Sequence, residues 1–199
     1  MYSTNKENID LSPITAIILA GGLGVRLRTM VPNQPKVLAK VHNRPFIEYL
    51  LEQLATAQIK NVVLCIGYLG EQVQEHLGKN YGGMNIFYSQ EFSPLGTAGA
   101  LRLALPYCQS ETVLAMNGDS FCDVKLTDFW NWYCQKQINR ALLLTTMPDT
   151  QRYGQLQIAA DGQILKFQEK AQSQGKGWIN AGIYLFKQEL LQSLPTHQT

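Results

Sequence analysis

An apolar run from Ile14 to Ala20 stops at three glycines within four positions, Gly21, Gly22 and Gly24. Nothing else in the chain limits the possible folds as tightly. A short run that is apolar but for Thr15 reads as a strand buried on both faces. The glycines that end it predict a loop with φ > 0, where main-chain N–H groups approach a ligand with no Cβ in the way. Arg26 and Lys36 follow shortly and supply positive charge. Amides and cations arranged this way suit the oxygens of a polyphosphate. The competing reading is an ordinary strand-to-helix turn with two solvated cations.

Two familiar glycine motifs are excluded. A dinucleotide fingerprint counted from Gly22 would need a glycine where Leu27 stands. A P-loop needs Gly-Lys-Ser or Gly-Lys-Thr, and neither occurs in the sequence.

A chain of 199 residues with 45% hydrophobic content is enough for one domain with a substantial core. Its net charge of +2 is spread along the chain. No Lys/Arg run is interleaved with aromatics, so a nucleic-acid partner is not expected. Cys65, Cys108, Cys122 and Cys134 form no C-x-x-C pair, and the histidines are too dispersed to complete a zinc cluster. Cys65 lies in an apolar run and reads as a core residue. The polar residues 1–13 are expected to form a loosely attached arm, with one domain over 14–199. No apolar run spans a bilayer, so the reading is a cytoplasmic protein with no membrane partner.

Short apolar runs alternate with helix-period segments, the pattern of an α/β protein with a mainly parallel sheet. Strands are expected at Ile14–Ala20, Asn61–Ile66, Asn85–Ser89, Glu111–Met116 and Ala141–Thr146. Helices are expected at Pro45–Gln58, Gly70–Leu77, Thr97–Leu105 and Thr127–Lys136. Beyond Tyr153 the rhythm changes to Gln155–Ala159, Gln163–Gln168 and Trp178–Phe186, strands of a second lobe, before a last helix near Lys187–Leu194. In a doubly wound sheet, ligands lie beyond the carboxyl ends of the strands. The remaining polar candidates fall at such ends. Glu91 follows the third strand, Gly96 and Thr97 open a helix that Thr97 is suited to cap, and Asp119 follows the buried strand ending at Met116.

Leu19-Ala20-Gly21-Gly22-Leu23-Gly24-Val25-Arg26-Leu27 with Pro35-Lys36 resembles the G-G-x-G-T-R-L…P-K signature of sugar nucleotidyltransferases, with Val25 in place of the threonine. Pro94-Leu95-Gly96-Thr97-Ala98-Gly99 resembles the P-L-G-T-A-G segment of guanylyltransferases that act on mannose- or heptose-type 1-phosphates. Asn117-Gly118-Asp119 is similar to the family's G-D motif. Tyr153-Gly154, Glu169-Lys170 and Asn180-Ala181-Gly182 follow the order of its sugar-side elements.

The resemblance implies a Rossmann-like, doubly wound sheet with a small β-rich sugar-binding lobe. The implied reaction joins a nucleoside triphosphate to a sugar 1-phosphate, with release of pyrophosphate and Mg²⁺ as cofactor. Arg26 and Lys36 are the expected catalytic cations. Leu19, Ala20, Gly21, Gly22, Gly24, Glu91, Gly96 and Thr97 are expected to bind the nucleotide, Asp119 the metal, and Tyr153, Gly154, Glu169, Lys170 and Asn180 the sugar phosphate. Glu91 favours guanine, because a carboxylate only accepts and guanine's Watson–Crick edge presents two adjacent donors. The family draws a second metal-binding aspartate from a late strand. After Asn180 the sequence offers only Glu189 as a carboxylate. A truncated domain, or metal binding by Asp119 and substrate phosphates alone, is therefore expected. A uridylyl-, thymidylyl- or cytidylyltransferase, or a catalytically silent sensing subunit of the same fold, stays open, and a homodimer is the expected assembly.

Overall fold

The computed structural model describes residues 11–22, 34–168 and 175–193. Four parallel strands form the centre of its main sheet: β1 (Thr15–Leu19), β4 (Asn61–Ile66), β6 (Met84–Gln90) and β7 (Thr112–Asn117). Their spatial order is β7-β1-β4-β6, all pairs parallel. The chain thus leaves β1 on one side to reach β4 and later returns to its other side as β7. That reversal opens a crevice beyond the carboxyl ends of β1 and β7.

Alternation along these strands feeds two cores. Ala16, Ile18, Leu64, Leu114 and Met116 face a core shared with α1 (Phe46–Thr56), α2 (Gly70–Leu77) and α4 (Leu126–Lys136). Ile17, Val63, Cys65, Val113 and Ala115 face the opposite core, beneath α3 (Gly96–Leu103) and the short α5 (Gln188–Gln192). With helices on both faces, the inner strands carry unbroken apolar runs. In α1, Ile47, Leu50, Leu51 and Leu54 are fully buried at helical spacing, each such side chain contributing about 1.5–3 kcal/mol. Leu11, in the arm of the sequence reading, is also buried in this core.

The second lobe is a wing of the same sheet. The long strand β11 (Gly177–Lys187) pairs antiparallel with β7 through Ile183–Lys187, with β8 (Arg140–Met147) along its length, and with β9 (Gln155–Ile158) at its start; β10 (Ile164–Gln168) pairs with β9. Short elements escaped the periodicity reading because two or three residues hold no period: the hairpin β2 (Lys40–Val41) and β3 (Arg44–Pro45), the strand β5 (Asn80–Tyr81), and two 3₁₀ turns at Lys36–Leu38 and Leu105–Tyr107. Strand and helix bounds otherwise fall within two residues of expectation.

Candidate active site at the β1–β7 crevice

The ends of β1, β4, β6 and β7 are laced together by main-chain bonds. The Ala20 N–H donates to the Cys65 carbonyl (2.8 Å), the Glu91 N–H to Ile66 (2.9 Å), and the Gly118 N–H to Leu19 (2.9 Å). Gly118 is obligatory here. A Cβ on it would stand 2.5 Å from the Leu19 carbonyl oxygen, where backbone cannot give way. Asp119 is thereby delivered beside the end of β1.

Opposite it, the turn that follows Pro35 presents Lys36, whose Nζ lies 2.6 Å from Asp119 Oδ2. Residues 83 positions apart meet as a charge-assisted pair. Partial burial opposes ionisation of Asp119. The hydrogen bond and charge of Lys36 outweigh it and hold the carboxyl below its ordinary value. Ser120 Oγ donates to Asp119 Oδ1 at 3.2 Å. Both members of the pair remain about 36–47% exposed, so phosphate oxygens can reach them.

Glu91 occupies the neighbouring strand ends. Its Oε1 lies 2.6 Å from where a Cβ on Gly21 would stand and 3.2 Å from one on Gly67. Its Oε2 accepts from the Leu95 N–H at 3.2 Å, at the entrance to α3. Gly21 and Gly22 are absent from the positive-φ glycines. The Glu91 carboxylate, not a left-handed backbone, is what a side chain at 21 would meet, and that flexible carboxylate arm would have to swing aside. Thr97 does not cap its helix: α3 begins at Gly96, Leu95 precedes it, and no side chain caps it. Gly96 itself has φ +68, and that conformation sets the turn into the helix.

On the sugar side of the sequence reading, β11 bulges between Asn180 and Tyr184, four residues facing a two-residue step of β8. Asn180 builds the bulge: its Oδ1 accepts from the Gly182 N–H (2.7 Å) and its Nδ2 donates to the Tyr184 hydroxyl (2.8 Å). Gly182, at φ +78, lies against the Asn117 side chain, so the bulge meets the end of β7. Gly154 packs under the Phe167 ring and Tyr153 is exposed at the start of β9. Gly24, Arg26, Glu169 and Lys170 lie outside the described residues.

The structure therefore brings Lys36, Asp119, Gly21 and Glu91 to one end of the parallel strands. Gly67 was missed as a site residue. The signal was available, since an apolar strand ending in glycine is the same cue that marked Gly21. Cys65 is buried as expected, and burial pushes its thiol up to about 12, leaving it inert. Among the described residues no group of three His, Cys, Asp or Glu side chains could hold a metal. A single partly exposed carboxylate such as Asp119 still fits Mg²⁺, which is commonly held by one or two carboxylates plus substrate phosphates and water.

The family model for nucleotidyl transferases matches residues 15–198. The chain belongs to the nucleotidyl transferase family. It is 37% identical over 170 residues to a D-glycero-alpha-D-manno-heptose 1-phosphate guanylyltransferase of Aneurinibacillus thermoaerophilus, covering 85% of this chain and 73% of that relative. It is 32% identical over 188 residues to the catalytic subunit beta of a mannose-1-phosphate guanylyltransferase of Drosophila melanogaster, covering 92% of this chain and 51% of that relative. Among solved structures, HddC from Yersinia pseudotuberculosis superposes with a TM-score of 0.84 at 27% identity, covering 94% of this chain and 82% of that one. The same protein complexed with GMP-PN gives 0.81, covering 92% and 80%. The fold expected from the sequence, a mainly parallel α/β sheet with a β-rich lobe, is the fold these structures share.

Proposed function

We propose that this nucleotidyltransferase condenses GTP with a manno-configured sugar 1-phosphate, heptose or mannose in type, to give a GDP-sugar and pyrophosphate. The observation that carries this reading is the Lys36–Asp119 pair at the β1–β7 crevice with Glu91 beside it. A cation and a metal-holding carboxylate stand where phosphates enter, and an acceptor-only side chain stands at the adjoining strand ends.

An oxygen of the sugar phosphate attacks the α-phosphorus in line, the bond to the β-phosphate oxygen breaks, and pyrophosphate leaves. The attacking phosphate is already anionic, so the protein has little proton transfer to perform. Its task is to bring two polyanions together and neutralise charge on their oxygens. In this reading the glycine loop from Leu19 to Gly24 positions the triphosphate and Arg26 stabilises the departing pyrophosphate. Lys36 contacts the reacting phosphate, while Lys170, Glu169, Tyr153 and Gly154 receive the sugar phosphate. Asn180 spends its amide on the bulge and shapes the sugar pocket through the backbone. Mg²⁺, when held by Asp119 and the phosphates, supplies further charge neutralisation. Glu91 accepts from the guanine N1–H and N2–H with lone pairs that the Leu95 N–H leaves free, and Gly96 and Thr97 flank the base. A cytoplasmic location suits an enzyme that draws on nucleoside triphosphates.

Pyrophosphate release from each of the four nucleoside triphosphates, with mannose and heptose 1-phosphates, tests this. GTP is expected to be preferred, and Glu91→Gln to narrow or reverse that preference over UTP and dTTP. An unchanged preference in the variant removes Glu91 from base selection.

A further inference from the structure

A cleft of about 370 Å³ separates α1 from residues 121–127, the segment that leads from β7 into α4. Cys122 and Val124 of this segment pack against the core shared with α1, and further contacts cross from helix to loop beside the cleft. Gln53 makes the polar ones. Its Nε2 donates to the Cys122 carbonyl at 2.9 Å and to the Val124 carbonyl at 2.9 Å. Beside it, Phe121 meets the Tyr49 ring edge-on, with centroids 6.5 Å apart. Tyr49 is steadied in turn by its hydroxyl bond to the Val41 carbonyl (2.8 Å) and by the Arg44 guanidinium 4.9 Å over its ring. At the other end the Gly118 N–H is tied to Leu19. Asp119 therefore sits one residue after the Gly118 anchor, two before Phe121 and three before the first carbonyl that Gln53 holds.

We infer that Gln53 is a positioning residue for Asp119. Its two N–H bonds set the course of residues 119–124 and hold the carboxylate where Lys36 and the phosphates meet. This rests on the reading of Asp119 as the metal-holding residue. Only an amide or a cation brings two donors to two carbonyls, and Gln53 does so without charge. Among the described residues its buried Oε1 has no hydrogen-bond partner, a cost that a side chain serving packing alone would avoid. Gln53→Met removes the donors and the unmet acceptor together, so the fold is expected to tolerate it while the loop is released.

The test measures Mn²⁺ binding by electron paramagnetic resonance in the presence of GTP, and amide hydrogen exchange over residues 119–124. Gln53→Met, and Gln53→Glu as a second variant of the same shape, are expected to weaken Mn²⁺ binding about 10-fold, at the low end for an outer partner of a metal ligand. Exchange over 119–124 should quicken, and GTP affinity without metal should stay within about twofold. Ile59→Val, a mildly destabilised control, should change none of these. Mn²⁺ affinity in both Gln53 variants that matches this control overturns the inference. Asp119→Asn separates the two levels. If it loses Mn²⁺ binding while the Gln53 variants keep it, only the role of Gln53 falls. If it binds Mn²⁺ as the wild type does, the metal assignment falls and this inference with it.

Discussion

The parallel half of the sheet and its antiparallel wing are built to different tolerances. In β1, β4 and β7 nearly every side chain is buried, and strand ends meet backbone to backbone, as Gly118 does against Leu19. In the wing, Ile164, Leu165 and Phe167 of β10 are 46–63% exposed, and glycines there face side chains rather than main chain. Close-packed interiors transmit any misfit, whereas exposed side chains can swing aside. Gly21, Glu91 and Asp119, proposed to meet the nucleotide and its metal, lie at the ends of the unyielding half. Of the residues proposed to meet the sugar, Tyr153, Gly154 and Asn180 lie on the half that can adapt.

The largest effect that would break this contrast is chemical. Lys36→Met and Asp119→Asn should each lower kcat on the order of 10²–10³ with the fold intact, the usual consequence of losing one preorganised charge. Arg26→Ala belongs to the same class. Steady-state pyrophosphate release checks all three, and near-normal turnover in any of them removes that side chain from the mechanism.

A pair of glycine substitutions sharpens the structural side. Gly118→Ala forces a Cβ against the Leu19 carbonyl, and about 3 kcal/mol of stability should be lost, at the upper end for overpacking. Gly154→Ala would place its Cβ against the Phe167 ring, which is 53% exposed and free to move. Urea denaturation should show under about 1 kcal/mol there, with KM for the sugar 1-phosphate raised and KM for GTP unchanged. Equal losses at the two positions would erase the distinction between halves.

Most of the parallel half was legible in the sequence, because strands buried on both faces leave unbroken apolar runs such as Val62–Ile66. The site's outline was legible as well, since Gly21, Glu91 and Asp119 each come just after a strand end that the sequence marks. What stayed hidden depends on tertiary approach. No local signal tells that Lys36 lies against Asp119, that the Glu91 carboxylate lies against Gly21, or that Gln53 reaches the loop after β7. Thr97 misled for a related reason. Its residue type suits an N-cap, but the turn at Gly96 starts the helix one residue earlier.

The smallest effect concerns a pair of elements outside both halves. Burial opposes ionisation of Glu48 on α1, but hydrogen bonds from His76 (2.8 Å) and Arg44 (3.0 Å) outweigh it and lower its carboxyl below the ordinary value. A carboxyl depressed in the folded state contributes stability above its unfolded pKa, and that stability is lost as pH falls through the folded value. The Tm difference between wild type and Glu48→Gln should therefore be full near neutrality and shrink below about pH 4.3, the ordinary glutamate value. A difference independent of pH would remove the ion pairs from the account of α1–α2 docking.

The central claim is that phosphates of both substrates meet at the Lys36–Asp119 end of the parallel strands. Transfer of label from α-³²P-GTP to mannose and heptose 1-phosphates tests it most directly. The expected result is a labelled GDP-sugar formed with release of pyrophosphate by the wild type and a loss on the order of 10²–10³ in Asp119→Asn. Label transfer at equal rates by the wild type and Asp119→Asn would contradict it.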